Sequence, residues 1–183
     1  MRELSLHIND IVQNSIDADA TIIKIFVKED IEKDNLVIKV EDNGKGIPKE
    51  KLDVITDPFE TSRTTRRVGL GLSLLEAATQ RCEGSLIIKS IRNVKTEVVA
   101  TFRYNHIDRA PLGNMIDTIL SIILSLKENS DLIYEHHYNN KMFTFDTREI
   151  KSIIGNQVSI NQIEIMNWIK EYIEEGFSNL MEV

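Results

Sequence analysis

The most restrictive feature of the sequence is the stretch from Glu41 to Pro48, which reads EDNGKGIP. An apolar run ends here at Glu41 and Asp42, and glycines follow at positions 44 and 46. Because glycine allows positive φ angles and close approach by another backbone, the pattern predicts a strand that runs into a tight, closely packed turn. An ordinary surface turn with Asn-Gly chemistry is the alternative when this stretch is taken alone.

A predicted amphipathic helix from Glu3 to Ala18 precedes this turn, with its polar face formed by His7, Asp10, Asn14 and Asp17. Asp10 and Asn14 lie one turn apart and can point at a single site. Oxygen ligands at this spacing suit a Mg²⁺ that keeps several waters and takes other ligands from phosphates, with Asp10 holding or deprotonating a water. A merely solvated face is the alternative. We expect His7 to be a surface or capping residue.

Two segments rich in isoleucine and valine, Thr21 to Lys28 and Leu36 to Asp42, predict an antiparallel hairpin. Its second strand would deliver Asp42 to the edge of the glycine turn. A carboxylate there can accept a hydrogen bond from an exocyclic amine, which is worth about 1.5–3 kcal/mol. Capping of the turn by Asp42 is the alternative. A short helix is predicted from Lys49 to Ile55.

A second glycine pair, Gly69 and Gly71, opens a predicted helix from Val68 to about Cys82. The preceding residues 57–67 are rich in hydroxyl groups and cations and predict a loop. A glycine turn that enters a helix presents free N–H groups and the positive end of the helix dipole, which together suit a phosphate. Neither the Walker pattern nor the dinucleotide fingerprint is present, since Leu74 stands where the latter needs a third glycine.

A linker-like run begins at about Asn105, and the sequence after it predicts further helices and strands. They are a helix from Asn114 to Lys127, a hairpin of 132–136 and 142–145, a short helix after Thr147 and a last helix from Ser159 to about Glu175. His136 and His137 are adjacent on a strand, so they should point to opposite faces and make a poor metal site. Trp168 and Tyr172, with three nearby isoleucines, are expected to pack in a core.

Charge and cysteine content limit the class of protein. The formal net charge is -7, with 22 basic and 29 acidic side chains and no long basic block, which disfavours binding to nucleic acid. The single cysteine, Cys82, suits a reducing cytoplasm. No apolar run is long enough to cross a bilayer, so no membrane partner is expected.

These motifs, in this order, resemble those of the GHKL superfamily of ATPases, which includes DNA gyrase, heat-shock chaperones, histidine kinases and MutL and whose nucleotide-binding fold is also called the Bergerat fold. The resemblance covers roughly Leu4 to Tyr104. HINDIVQNSIDADA is similar to the N box, EDNGKGIP to the first glycine box, DPFETSRTT to the lid segment and VGLGLSLLEAA to the second glycine box. Two strands at 85–91 and 96–104 resemble the closing strands of the family.

The resemblance implies an α+β fold, a two-layer α/β sandwich, for an ATP-binding domain in residues 1–104. Residues 105–183 would form a small C-terminal α/β extension that can pack on it. This extension faintly resembles part of the small stand-alone ATP-binding proteins that accompany iron-only hydrogenases.

The resemblance also assigns roles to individual residues. Mg²⁺ would be bound by Asn14, and Asp42 would recognise the adenine amino group. The remaining nucleotide-binding positions are Asp17, Gly44, Gly46, Ile47, Thr61, Ser62, Arg63, Gly69, Leu70, Gly71, Leu72 and Thr96. Arg66 and Arg67 are further candidates for lid cations.

The catalytic position carries Asp10 where hydrolysing relatives usually carry glutamate. The shorter side chain puts reach in doubt, because a displacement of about 1 Å can cost on the order of a hundredfold in rate. We therefore expect ATP and Mg²⁺ binding with slow hydrolysis, or a protein kinase that acts on a separate partner through the extension or the lid. The N box begins almost at Met1, so no phosphoacceptor module is expected before it. A non-catalytic ATP-binding adaptor and an ATP-gated homodimer remain the alternatives.

Overall fold

The structure, a computed structural model, describes residues 2–52, 70–155 and 158–181 of the 183-residue chain. The described strands are β1 (Ile22–Asp30), β2 (Asn35–Asp42), β3 (Ser85–Ile91), β4 (Lys95–Arg103), β5 (Asp131–Tyr138) and β6 (Lys141–Asp146). The described helices are α1 (Leu4–Asp17), α2 (Lys49–Leu52), α3 (Leu70–Arg81), α4 (Met115–Ser125), α5 (Thr147–Ile154) and α6 (Ile163–Met181).

The predicted hairpin of β1 and β2 is confirmed, with Ile23 opposite Asp42 at its open end. Alternate residues of both strands are buried, because one face of the hairpin lies under the helices. The buried apolar residues of this face are Ile23, Ile25, Val27, Leu36, Ile38 and Val40. This burial fixes the register, and the register places Asp42 where β2 ends.

All six strands form one mixed sheet in the order β3-β4-β2-β1-β5-β6. Neighbouring strands are antiparallel except β1 and β5, which are parallel and place Val27 opposite His136. The strands on both sides of residue 104 therefore belong to one sheet. Through this pairing, the C-terminal segment lengthens the sheet at the β1 edge.

The helices form the second layer. α1 packs against α3 on one side and α4 on the other, and α4 also contacts α6. Their apolar faces meet the buried face of the sheet in one core, to which Ile8 and Val12 of α1 and Ile119 and Ile122 of α4 contribute. The predicted α+β two-layer sandwich is confirmed by this arrangement.

The C-terminal helices differ from the sequence prediction in their limits and exposure. α6 begins at Ile163, not Ser159, and continues past Gly176 to Met181. The prediction of core packing is wrong for Trp168 and Tyr172, which are 44% and 41% exposed. Within the described part of the chain, no helix has both the length and the apolar character needed to cross a membrane.

Candidate functional site

Hydrogen bonds hold the glycine turn after β2 against the beginning of β1 and the end of α1. Asn43 Oδ1 accepts hydrogen bonds from the N–H groups of Thr21 and Ile22 at 2.9 and 2.8 Å. Its Nδ2 donates to Thr21 Oγ1 at 2.9 Å. The N–H group of Lys45 donates to the carbonyl oxygen of Ala18 at 2.9 Å. The turn therefore has a fixed position beside α1.

At both glycines of this turn, the backbone of another segment lies too near to leave room for a side chain. A Cβ atom at Gly44 would lie 2.7 Å from the carbonyl oxygen of Ala18. Gly46 has φ +67°, and a Cβ atom there would lie 2.7 Å from the carbonyl oxygen of Ile91 at the end of β3. Positive φ is costly for residues with a side chain, so glycine is required at position 46 on two grounds. The predicted close approach is confirmed.

Asp42 is 7% exposed, and the protein holds both of its carboxylate oxygens. Ser15 Oγ donates to Oδ2 at 2.8 Å, and the N–H group of Gly44 donates to Oδ1 at 2.9 Å. A carboxylate oxygen has two lone pairs, so each can accept one more hydrogen bond. No salt bridge to Asp42 occurs among the described residues, so neutral donors orient the carboxylate.

A row of hydroxyl groups lies next to Asp42. Thr96 is the partner of Asp42 in the register of β2 and β4, and its Oγ1 lies 3.0 Å from Ser90 Oγ. Ser90 Oγ accepts a hydrogen bond from the N–H group of Ile47 at 2.7 Å. The structure thus brings together four of the predicted positions: Asp42, Gly44, Ile47 and Thr96.

Asp10 lies against the first turn of α3. A Cβ atom at Gly71 would be 3.3 Å from both Cβ and Oδ2 of Asp10, so the missing side chain allows the two helices to approach. Desolvation at this contact raises the pKa of Asp10 above its ordinary value. The predicted acidic residue and the predicted phosphate-binding glycine are therefore neighbours.

The expectation that His7 is a surface or capping residue is wrong. Its side chain is buried at 4% exposure, one turn before Asp10 and beside the same glycine. Burial is the main cause that lowers the pKa of His7 from 6.5 to about 4, while a hydrogen bond with the backbone of Gly71 acts in the opposite direction. Nδ1 of His7 has no hydrogen-bond partner among the described residues.

The predicted metal ligand, Asn14, is half-buried on α1, one turn after Asp10. Asp17 is exposed and accepts a hydrogen bond from Gln13 Nε2 at 3.0 Å. The described residues contain no group of three or more His, Cys, Asp or Glu side chains that could hold a metal ion. A Mg²⁺ that takes most of its ligands from phosphates and water needs few protein oxygen atoms, and the role of Asn14 as its ligand stays a prediction.

Part of the predicted site lies outside the described residues, namely Thr61, Ser62, Arg63, Arg66, Arg67 and Gly69. Leu72 is buried in the core, so any contact of this residue with a ligand would be made by its main chain. Sequence reasoning missed Ser15 and Ser90. Ser15 follows Asn14 on the buried face of the predicted helix, where a polar residue signals a hydrogen-bond partner in the core.

Comparisons with known proteins match the chain to a family model and to two curated kinases. The family model described as histidine kinase-, DNA gyrase B-, and HSP90-like ATPase matches residues 2–106. A probable C4-dicarboxylate sensor kinase from Halalkalibacterium halodurans is 33% identical over 101 residues, which are 51% of this chain and 18% of the kinase. The signal transduction histidine-protein kinase ArlS of Staphylococcus aureus is 37% identical over 90 residues, 46% of this chain and 20% of the kinase.

A solved structure, the N-terminal domain of a DNA repair protein, has the same fold at a TM-score of 0.59 and 17% sequence identity. The superposition covers 85% of this chain and 58% of that chain. This coverage of 85% is larger than the share of the chain that residues 2–106 make up, so the shared fold includes part of the C-terminal segment.

Proposed function

Because the chain belongs to the family of histidine kinase-, DNA gyrase B- and HSP90-like ATPases, and so has a nucleotide-binding domain in residues 2–106, we propose that it binds ATP with Mg²⁺ and hydrolyses it slowly. The oriented carboxylate of Asp42 is the observation that carries this proposal. The matched segments span about a fifth of the length of the curated kinases, 18% and 20%, so activity and partners of this chain are proposals of our own.

Asp42 would read the adenine base. Ser15 and the N–H group of Gly44 fix the direction of the carboxylate, and its remaining lone pairs can accept a hydrogen bond from the exocyclic amine. A hydrogen bond to a charged group contributes about 1.5–3 kcal/mol. The glycines at positions 44 and 46, together with Ile47, would line the pocket of the base.

The phosphates would lie at the beginning of α3, where main-chain N–H groups and the helix dipole favour an anion. Asn14 would hold Mg²⁺, which when bound neutralises charge on the phosphates. Asp17, Gly69, Leu70 and Leu72 are further contacts in this proposal.

Asp10 would take the proton from the attacking water. Its contact with Gly71 puts it beside the proposed phosphate site, and a raised pKa makes the carboxylate a better proton acceptor. Its side chain is one methylene shorter than glutamate, which is why we propose slow turnover.

The test is Mg²⁺-dependent release of phosphate from ATP by the purified chain. Replacement Asp10→Asn keeps the size of the side chain and removes the base, so release should fall about a hundredfold or more while ATP still binds. Glu32→Gln, an isosteric change at an exposed residue of the β1–β2 loop, is the matched control and should leave release unchanged. Equal release by Asp10→Asn and the wild type would refute the role of Asp10.

The kinase relatives favour a second candidate, transfer of the γ-phosphate to a separate protein. Incubation with radiolabelled ATP and a cell lysate separates the candidates. A labelled host protein supports the kinase, free labelled phosphate alone supports the ATPase, and neither product indicates a non-catalytic adaptor. A monomer that pairs on addition of a non-hydrolysable ATP analogue would indicate a nucleotide-gated dimer.

Residues 105–183 would serve as a docking extension of the ATP-binding domain. The buried free thiol of Cys82 suits the cytoplasmic location that belongs to the same proposal.

A further inference from the structure

The outer edge of the sheet in the C-terminal segment borders a groove that is separate from the candidate nucleotide site. β6 is the last strand of the sheet, and β5 is its only strand partner in the described part of the chain. α6 packs beside β6. Between them lies a cavity of about 520 Å³, which we name the β6–α6 groove. Its lining includes Lys141, Met142, Phe143, Tyr172, Glu175 and Asn179.

Exposed aromatic and apolar side chains lie in this groove, as Tyr172 and Met142 do, and beside it on α6, as Trp168 does. Trp168 is stacked on Tyr172 with ring centroids 5.8 Å apart, and Tyr172 in turn lies 6.0 Å from the ring of Phe143. Met142 on β6 is 60% exposed. Large apolar side chains that share one exposed surface are typical of an interaction site.

Negative charge surrounds the aromatic pair. Three glutamates of α6 share a face with Trp168. Glu164 lies four residues before it, Glu171 three residues after it and Glu175 seven residues after it, which is helical spacing. They are exposed, and no salt bridge to them occurs among the described residues. Lys141, a basic residue of the groove, donates its Nζ to the carbonyl oxygen of Asn179 at 3.2 Å. Carboxylates of α6 therefore lie around a pair of exposed rings in and beside the groove.

We propose that the β6–α6 groove binds an extended, lysine- or arginine-containing segment of a partner protein. The segment adds to β6 as a further strand and places a cationic side chain over Trp168 and Tyr172. Charge complementarity selects this partner, because carboxylates attract basic side chains and ring faces bind ammonium and guanidinium groups. The same negative charge disfavours nucleic acid and anionic membranes.

The dimensions of the groove suit a short segment. The six residues of β6 extend about 20 Å at roughly 3.3 Å per residue, and the stretch of α6 from Trp168 to Asn179 extends about 17 Å at roughly 1.5 Å per residue. A segment of about six extended residues, at the same roughly 3.3 Å each, would fill the groove. In such strand addition, main-chain hydrogen bonds provide affinity and side-chain contacts provide specificity.

The hairpin of β5 and β6 indicates which main-chain groups are available. Its two-residue turn at Asn139 and Asn140 is closed by Tyr138 and Lys141. Hydrogen-bonded and non-bonded pairs alternate along an antiparallel ladder, so the N–H groups of Met142 and Thr144 should point away from β5. Proline at position 144 would remove one outward donor, at a position where an edge strand tolerates proline.

The experiment uses the whole chain, fluorescently labelled, on an array of random hexapeptides, followed by titration of the best-bound peptide. Bound peptides should be enriched in lysine and arginine, and their affinity should fall with added salt. Trp168→Ser, Thr144→Pro and the double charge reversal Glu171→Lys with Glu175→Lys should each weaken binding at least about tenfold. Glu32→Lys, an exposed charge reversal at the β1–β2 turn, is the matched control and should leave peptide affinity close to that of the wild type.

Absence of peptide binding, or bound peptides without basic enrichment, would overturn the proposal. So would a wild-type dimer that Thr144→Pro dissociates, since the groove would then hold a second copy of the chain. Adsorption to phosphatidylserine vesicles through this face would contradict it as well. The groove variants should retain urea midpoints and ATP affinity, and this second readout separates failure of the docking proposal from failure of the proposed nucleotide site.

Discussion

Replacement His136→Phe should destabilise the fold strongly, because His136 joins the C-terminal segment to the ATP-binding domain through buried polar groups. Its side chain has no exposed area, and Nε2 lies 2.9 Å from Glu29 Oε1 on β1. Nδ1 lies 2.8 Å from the hydroxyl group of Tyr134. Burial raises the pKa of Tyr134 well above its usual value, so the phenol stays protonated and can donate to Nδ1. The Nε2–H group then donates to Glu29.

Phenylalanine keeps a ring at this position and removes both nitrogen atoms. Glu29, which is 6% exposed, loses a donor, and the hydroxyl group of Tyr134 loses its acceptor. An unsatisfied buried polar group costs about 1–3 kcal/mol, and this variant leaves two such groups. We therefore expect the free energy of unfolding to fall by about 2–6 kcal/mol, a large part of the total of roughly 5–15 kcal/mol.

Urea unfolding followed by circular dichroism measures this loss. The matched control is His137→Phe, the adjacent residue on the opposite face, whose ring is 5.2 Å from Phe26 and whose side chain is 27% exposed. His137 pairs with the carboxylate of Glu135 at a partly exposed position, so the stability lost in His137→Phe should stay within about 1 kcal/mol. The double variant Glu29→Leu with His136→Phe removes both polar partners and should be more stable than His136→Phe alone. Equal losses for His136→Phe and His137→Phe would refute the reasoning.

Two further predictions concern α1. Ser15→Ala removes the donor that orients Oδ2 of Asp42, so the dissociation constant for ATP, measured by calorimetry, should rise about tenfold for a loss of roughly 1.5 kcal/mol; an unchanged constant would show that this bond does not position the carboxylate. The pKa of His7 is lowered from 6.5 to about 4 in the folded chain, so the unfolded chain binds more protons between these values and stability is lost as pH falls through this window. Urea midpoints between pH 7 and 4 should therefore decline less steeply for His7→Gln than for the wild type, and parallel declines would contradict the assignment.

The elements around the candidate nucleotide site could be predicted from the sequence because each has a strong local signal. In β1 and β2 apolar residues alternate with polar ones, and in α1 apolar residues recur with a helical period. Both patterns arise because one face of each element is buried. Gly44 and Gly46 predict close approach by another backbone segment. The structure shows that carbonyl oxygens lie too near to allow a Cβ atom at either position.

Features that depend on distant packing could not be predicted in the same way. His7 is polar in sequence, yet it is buried because Gly71 lets the first turn of α3 approach α1. Gly176 reads as the end of a helix, but α6 continues through it. Glycine stands there because a Cβ atom would lie 2.0 Å from the ring of Phe143, a contact that no local pattern reveals. The parallel pairing of β1 and β5 joins residues far apart in the chain, and no local period encodes such a pairing.

The central claim, that Asp42 reads the adenine base, is tested most directly by calorimetric titration of Asp42→Asn with ATP and Mg²⁺. Asparagine has the same shape but carries no charge and offers one acceptor oxygen in place of two. ATP affinity should fall about a hundredfold or more, which corresponds to roughly 3 kcal/mol, while the urea midpoint stays close to that of the wild type. Affinity equal to that of the wild type in a folded Asp42→Asn chain would contradict the account.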